Sequence, residues 1–173
     1  MIASGIFILG LNGSGKTTLG RALAERLNWF RMDVEDYYFP DMTVPYANAR
    51  SKEDVERLML ADIRAHGHFV LSSVSADLCE EIRHYCVLAV RLRAPKALRM
   101  SRIEQRELAR FGPRVMPGGD MYEQQQRFHE YAGKRDEAIV TRSIAALNCP
   151  ALTLDAARPI EDSVRQIIDA LPL

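Results

Sequence analysis

Ile6-Phe7-Ile8-Leu9, followed by Gly10-Leu11-Asn12-Gly13-Ser14-Gly15-Lys16-Thr17-Thr18, is the stretch on which the fold is decided. The four apolar residues read as a buried strand and the glycine-rich segment as a tight loop. Leu19, Leu23 and Leu27 then form one stripe of a helix. The loop spells G-x-x-x-x-G-K-[ST] between strand and helix, the context in which that spelling has a mechanism. Glycines let the turn close and aim several N–H groups inward, at a helix N-terminus whose partial positive charge favours phosphate. Gly10, Asn12, Gly13, Ser14, Gly15 and Thr18 are therefore expected around the phosphates of a nucleotide. Lys16 is expected to reach the outer phosphates, and the Thr17 hydroxyl is placed to ligate Mg²⁺.

Outward from this loop, apolar runs alternate with helical patterns to the end of the chain. Strands are expected at about 2–9, 29–32, 68–72, 86–92 and 151–154. The first helix should reach about Asn28. Ser51 and Asp54 spell a capping box for a helix with Val55, Leu58, Met59 and Ile63 inward, closed by Gly67. A short helical stretch is expected near Asp77 to Arg83. Pro95 opens a helix to about Phe111, where Gly112-Pro113 and Pro117-Gly118-Gly119 break it. Asp120 with Glu123 spells a second capping box, opening a segment in which Gly133 is a candidate kink. Pro159 starts a last helix with Ile160, Val164, Ile167, Ile168 and Leu171 on one face. Such alternation predicts one α/β domain, 1–173, with a five-stranded parallel sheet, helices on both faces and a ligand at the carboxyl ends of the strands.

Composition excludes several classes of function. The 173 residues hold 23 Lys+Arg and 23 Asp+Glu, so no overall basic field draws nucleic acid or an anionic membrane. No apolar run is long enough to span a membrane. Cys79, Cys86 and Cys149 have no metal-like spacing, and reduced thiols in a cytoplasmic protein are the expectation. His66, His68, His84 and His129 form no metal-spaced pattern.

Two further groups carry chemistry. Asp33, Glu35 and Asp36 fall where the second strand should end, on the ligand edge. Alternation along an extended strand would send Asp33 and Glu35 to one side and Val34 to the other. Carboxylates there can help hold Mg²⁺ and accept a proton from an attacking hydroxyl. Arg99, Arg102, Arg106 and Arg110 share a broad helix face, where guanidinium groups could stabilise the charge that develops during phosphoryl transfer. The Gly/Pro stretch beyond them supplies hinges for closure. The third strand ends in Ser72-Ser73 rather than an aspartate, and no Asp-Glu strand end or Asn-Lys-x-Asp segment is present. Both absences weigh against a motor or a switch.

The wider spelling G-x-x-G-x-G-K-T-T resembles the small-molecule and nucleotide kinases of the P-loop class, among them adenylate, shikimate and gluconate kinases. The resemblance implies a three-layer α/β/α P-loop fold with strand order 2-3-1-4-5, an acceptor region near 34–66 and a short lid near 110–121. It also implies ATP and Mg²⁺ as cofactors. Asp33-Val34-Glu35 is similar to the acidic pair of shikimate and gluconate kinases. Carried over, Thr17 and Asp33 serve the metal, and Glu35 faces the acceptor hydroxyl as candidate base. Glu stands here where those families have Asp, and Asp36 follows directly, so any of the three remains open as the base. Asp36-Tyr37-Tyr38 resembles a segment of uridine kinases, which keeps a nucleoside acceptor open. The arginine helix resembles the approach to the lid, placing Arg102 and Arg106 near the transferred group and Arg110 near the nucleotide. Asp155 to Pro159 resembles the segment bordering adenine. The expected partners are a nucleotide and a small acceptor, a hydroxyl metabolite or nucleoside, with no nucleic acid or membrane. The alternatives are a nucleoside monophosphate kinase, whose Asp-Gly-x-Pro-Arg segment is absent, and a nucleotide-binding regulator or partner-dependent ATPase.

Overall fold

A computed structural model describes residues 3–40 and 48–171. Five parallel strands, β1 (Ser4–Leu9), β2 (Phe30–Asp33), β3 (His68–Ser73), β4 (Cys86–Arg93) and β5 (Ala151–Asp155), form one sheet in the order β2-β3-β1-β4-β5. This is the expected order 2-3-1-4-5. The helices are α1 (Lys16–Leu27), α2 (Val34–Tyr38), α3 (Lys52–His66), α4 (Glu80–His84), α5 (Lys96–Phe111), α6 (Tyr122–Lys134), α7 (Ala138–Ala145) and α8 (Ile160–Asp169).

The central strand explains the layering. Successive side chains of β1 point to opposite faces, and all of Ile6, Phe7, Ile8 and Leu9 are buried. Phe7 and Leu9 join Met32, Met59, Ile63, Phe69 and Leu71 in one core, with Val140 of α7. Ile6 and Ile8 join Leu19, Leu23, Val70, Val90, Val164 and Ile167 in the other, beneath α1 and α8. Each such side chain stabilises the fold by about 1.5–3 kcal/mol through burial, so the strand that delivers the phosphate loop is anchored in both cores.

Local signals place most boundaries. Asn28 ends α1 in a left-handed conformation, φ 54°. Ser51 caps α3 by accepting from the Asp54 N–H, and Gly67 closes it. Two expectations fail. Residues 34–38 are the helix α2, so strand alternation does not apply to Glu35: the Asp33 carboxylate accepts the Glu35 N–H and caps a helical turn. Asp120 does not cap α6, which starts after Met121 without a side-chain cap. Its carboxylate is held instead by Arg114, and the Met121 N–H donates to the Arg114 carbonyl, delaying the helix. Gly133 lies within α6, which ends at the next residue, Lys134.

The expected loop 37–50 is in part α2, and its portion 41–47 lies outside the described residues, as does Ile2 of the first strand. The stretch 110–121 comprises the end of α5, a 3-10 turn at Gly112–Val115, and turns.

Candidate functional site

The loop between β1 and α1 turns through Gly13, φ 79°, and Gly15, φ 94°, a left-handed region that other residues enter only with strain. Gly10 leaves the space that Ser14 occupies, because a Cβ there would press on Ser14 Oγ. The Ser14 hydroxyl is enclosed and, among the described residues, has no hydrogen-bond partner. Lys16, 6 % exposed, opens α1. Burial pushes its ammonium group below the ordinary value, against the opposing pull of Glu35 and Asp33. Ser72, where an aspartate was sought in vain, donates to the Lys16 carbonyl at 3.1 Å and supports the start of that helix.

Thr17 Oγ1 donates to Asp33 Oδ2 at 2.7 Å, joining the loop to the end of β2. Burial raises the Asp33 carboxyl above the usual carboxylate range, while the bond from Thr17 pulls it down. Gly13, Ser14, Gly15, Lys16, Thr17 and Thr18 line a cavity of about 590 Å³ together with Asp33, Glu35, Asp36, Arg102, Arg106 and Arg110. Asp33 reaches it from the end of β2, and the helical turn of α2, not strand alternation, brings Glu35 and Asp36. Asp36 is also paired with Arg31 at 2.9 Å.

The arginines divide by their partners. Arg99 is buried and donates to the carbonyls of Asn12 (3.0 Å) and Ala132 (3.4 Å), so it braces the loop against α6. Arg102 donates to the carbonyls of Ser14 (3.1 Å) and Ala156 (2.9 Å), tying the phosphate loop to the segment after β5. Arg106 is held by the buried Glu107 at 2.7 Å. Arg110 lies with its guanidinium 5.2 Å from the centre of the Phe111 ring. Arg114 is paired with Asp120.

Three expected residues do not line this cavity: Gly10, Asn12 and Asp155. The Asn12 side-chain oxygen is taken by Arg135 at 3.0 Å. Asp155 turns its carboxylate onto the Ala157 N–H, and its neighbours Ala156 and Arg158 line the cavity instead. Sequence reasoning missed Arg21, Arg135 and Ser163, whereas Arg158 falls in the segment expected beside adenine. Arg21 stands one helical turn past Thr17, a spacing that would have found it. Arg135 and Ser163 belong to no motif.

A second cavity of about 320 Å³ adjoins the first at Asp33 and Asp36. Arg31, Tyr37, Arg50, Leu58 and Asp62 complete its wall. Tyr37 donates its hydroxyl to Asp62 at 2.5 Å, and burial with that bond raises the phenol above its ordinary value. Arg50 donates to the Tyr37 carbonyl.

Comparison with known proteins agrees with this geometry. The family model described as an AAA domain matches residues 6–110. The chain is 30 % identical over 174 residues to the uncharacterized protein YqaC of Bacillus subtilis (strain 168), covering 96 % of each. Its fold resembles a shikimate kinase from Acinetobacter baumannii solved with shikimate, with TM-score 0.57, 17 % identity, and 96 % and 92 % of the two chains covered. It likewise resembles a deoxyadenosine kinase from M. mycoides solved with dATP, with TM-score 0.58, 14 % identity, and 95 % and 97 % covered.

Proposed function

The chain belongs to the AAA-domain family and has the fold of the P-loop small-molecule and nucleotide kinases. From that premise we propose that it transfers a phosphoryl group from ATP, with Mg²⁺, to a hydroxyl of a small metabolite or nucleoside. The observation that carries this reading is the 2.7 Å contact between Thr17 and Asp33 in the cavity that Lys16 lines, because it unites the phosphate loop with a carboxylate at the next strand end.

The donor set suits Mg²⁺. A hydroxyl and a carboxylate oxygen are hard ligands, and Mg²⁺ usually keeps water and phosphate oxygens as the rest of its shell. When bound, the ion would neutralise charge on the phosphate oxygens.

Every other part of the work falls to the protein. Backbone N–H groups of 13–18 hold the donor phosphates, and the enclosed Ser14 hydroxyl supplies a further polar contact. Lys16 sets its charge against the transferred group in a site where attraction between opposite charges is stronger than in water. Glu35 takes the acceptor proton, since Asp33 is engaged by Thr17 and Asp36 by Arg31. Arg106 and Arg110 close the donor side. The acceptor occupies the smaller cavity, with its reacting hydroxyl directed past Asp33, where the two cavities meet, toward Glu35 in the larger one.

A second reading, a nucleoside monophosphate as acceptor, is favoured by one observation: Arg31 and Arg50 both line the smaller cavity. One experiment separates the readings. ATP with Mg²⁺ should raise the melting temperature, and ADP release should then depend on an acceptor drawn from hydroxyl metabolites, nucleosides and monophosphates. Release that responds to monophosphates alone supports the second reading. Hydrolysis indifferent to every acceptor but stimulated by a protein partner supports a regulator instead. No stabilisation by any nucleotide overturns the proposal, as does full transfer by Lys16→Ala.

A further inference from the structure

The far end of the sheet holds a contact that phosphoryl transfer does not use. Cys149 Sγ lies 3.4 Å from Cys86 Sγ, although the two are 63 residues apart in sequence. Cys86 opens β4 and Cys149 stands two residues before β5. The strands pair with Ala89 opposite Ala151, and the Ala89 N–H donates to the Pro150 carbonyl at 2.9 Å. Continued backward, that register sets Cys149 beside Val87, one position from Cys86. Neighbouring strands lie about 4.7–4.9 Å apart, and disulfides span Cα separations of about 4.4–6.8 Å, so the backbone is already spaced for a bridge.

We propose that Cys86 and Cys149 are a dithiol site that hydrogen peroxide converts to a reversible disulfide. The two sulfurs differ in the way the chemistry requires. Cys149 is partly exposed, and Cys86 is 7 % exposed. Burial raises the Cys86 thiol, which stays protonated at neutral pH and therefore waits as the second partner. The Cys149 thiolate attacks one oxygen of peroxide; the O–O bond breaks, hydroxide leaves, and Cys149 becomes a sulfenic acid. The Cys86 sulfur then attacks the Cys149 sulfur. The S–S bond forms, the S–O bond breaks, and water leaves with the Cys86 proton. In sum, two thiols and one peroxide give one disulfide and two waters, with two electrons passing from sulfur to peroxide. A small dithiol reverses the change by exchange.

The bridge would close a loop containing α5, the turns after it, α6 and α7, the whole excursion that supplies Arg102, Arg106, Arg110 and Arg135. It would join the two roots from which that excursion leaves and returns. β4 is eight residues long, so at about 3.3 Å per residue the pair lies roughly 20–25 Å from the phosphate loop. The oxidised protein should therefore gain stability through the restricted unfolded chain, about 5–10 °C in Tm. Its nucleotide affinity should stay within about twofold, as expected for distant sites.

The test is a peptide map of the full chain after stoichiometric peroxide, without reductant. The expected product is one cross-linked peptide pair containing Cys86 and Cys149, two hydrogens lighter than the separate peptides, with Cys79 still free. Dithiothreitol should restore both thiols and the original Tm. Cys79→Ser should form the same bridge and Cys149→Ser should not. Three free thiols after treatment overturn the proposal, as does a bridge through Cys79. A Cys149 carried on to the sulfinic acid beside a free Cys86, or a cross-link with no rise in Tm, overturns it equally.

Discussion

Asp33 serves two partners with one carboxylate: Oδ2 accepts from Thr17, and Oδ1 accepts the N–H that starts α2 at 3.2 Å. Its place at 4 % exposure opposes its charge, and burial outweighs the bond from Thr17. A carboxyl raised in the folded state binds more protons there than in the unfolded chain between the two values, so stability falls as pH rises through that window. Asp33→Asn removes the penalty; its amide oxygen can keep the Glu35 N–H while its NH2 group donates to the Thr17 hydroxyl. The ligand-free variant should melt above the parent at pH 7, and the gap should close as pH falls toward the ordinary value of 3.8. Phosphoryl transfer should fall about 100-fold in the same variant. Calorimetry across pH, beside an ADP-release assay, reads both; a variant less stable than the parent at pH 7 would show that burial is not the dominant influence. Glu35→Gln should lose about 100-fold in kcat with KM little changed, as befits a group that moves a proton rather than one that binds. That Asp33 belongs to the site was legible because it ends a strand on the ligand edge. That Glu35 reaches the same cavity was expected for the wrong reason, since a carboxylate cap set five residues into a helix where alternation assumed a strand.

At the scale of elements, α1 is held close against β3. An alanine at Gly20 would normally favour the helix by about 0.5–1 kcal/mol. Here its Cβ would overlap Ser72 Oγ, the hydroxyl that supports the Lys16 carbonyl. Overpacking of this kind costs about 1–3 kcal/mol, so packing wins and Gly20→Ala should lower the denaturation midpoint without changing the m-value. The other element that grips the phosphate loop is α6. Arg135, just past its end, holds the Asn12 side chain and lies 5.0 Å from the Tyr131 ring. Arg135→Ala should weaken ATP binding about tenfold, or about 1.4 kcal/mol, by freeing Asn12; titration calorimetry measures it. Strands, caps and the first, third, fifth and last helices were legible because each is announced by its own neighbours in sequence. Arg135 was not, because its partner is 123 positions away and no period or motif marks it. Asp120 misled for a related reason: the capping spelling is local, but Arg114 and the Met121 turn overrule it.

Over the whole molecule, the order β2-β3-β1-β4-β5 puts the phosphate loop at the centre of the sheet, and the surrounding chain returns to it from three distant places. Arg99 spans 87 positions to Asn12 and Arg102 spans 88 to Ser14, while Arg102 also reaches Ala156 and Arg135 reaches Asn12. The motif that announces the fold is therefore written in the first tenth of the chain but braced by the last half. This ordering has a consequence in time. As the chain leaves the ribosome, Gly10 to Thr18 emerge early, yet the arginines that brace them follow more than 80 residues later. A nascent chain carries a complete phosphate-loop spelling long before it has a complete phosphate loop. Refolding should show the same order, with nucleotide binding returning no earlier than hydrogen-exchange protection of α6; binding that precedes it would mean the loop needs none of these struts. Until Arg135 and Ala156 arrive the loop lacks these struts, so early capture of nucleotide is not expected to guide this protein to its fold.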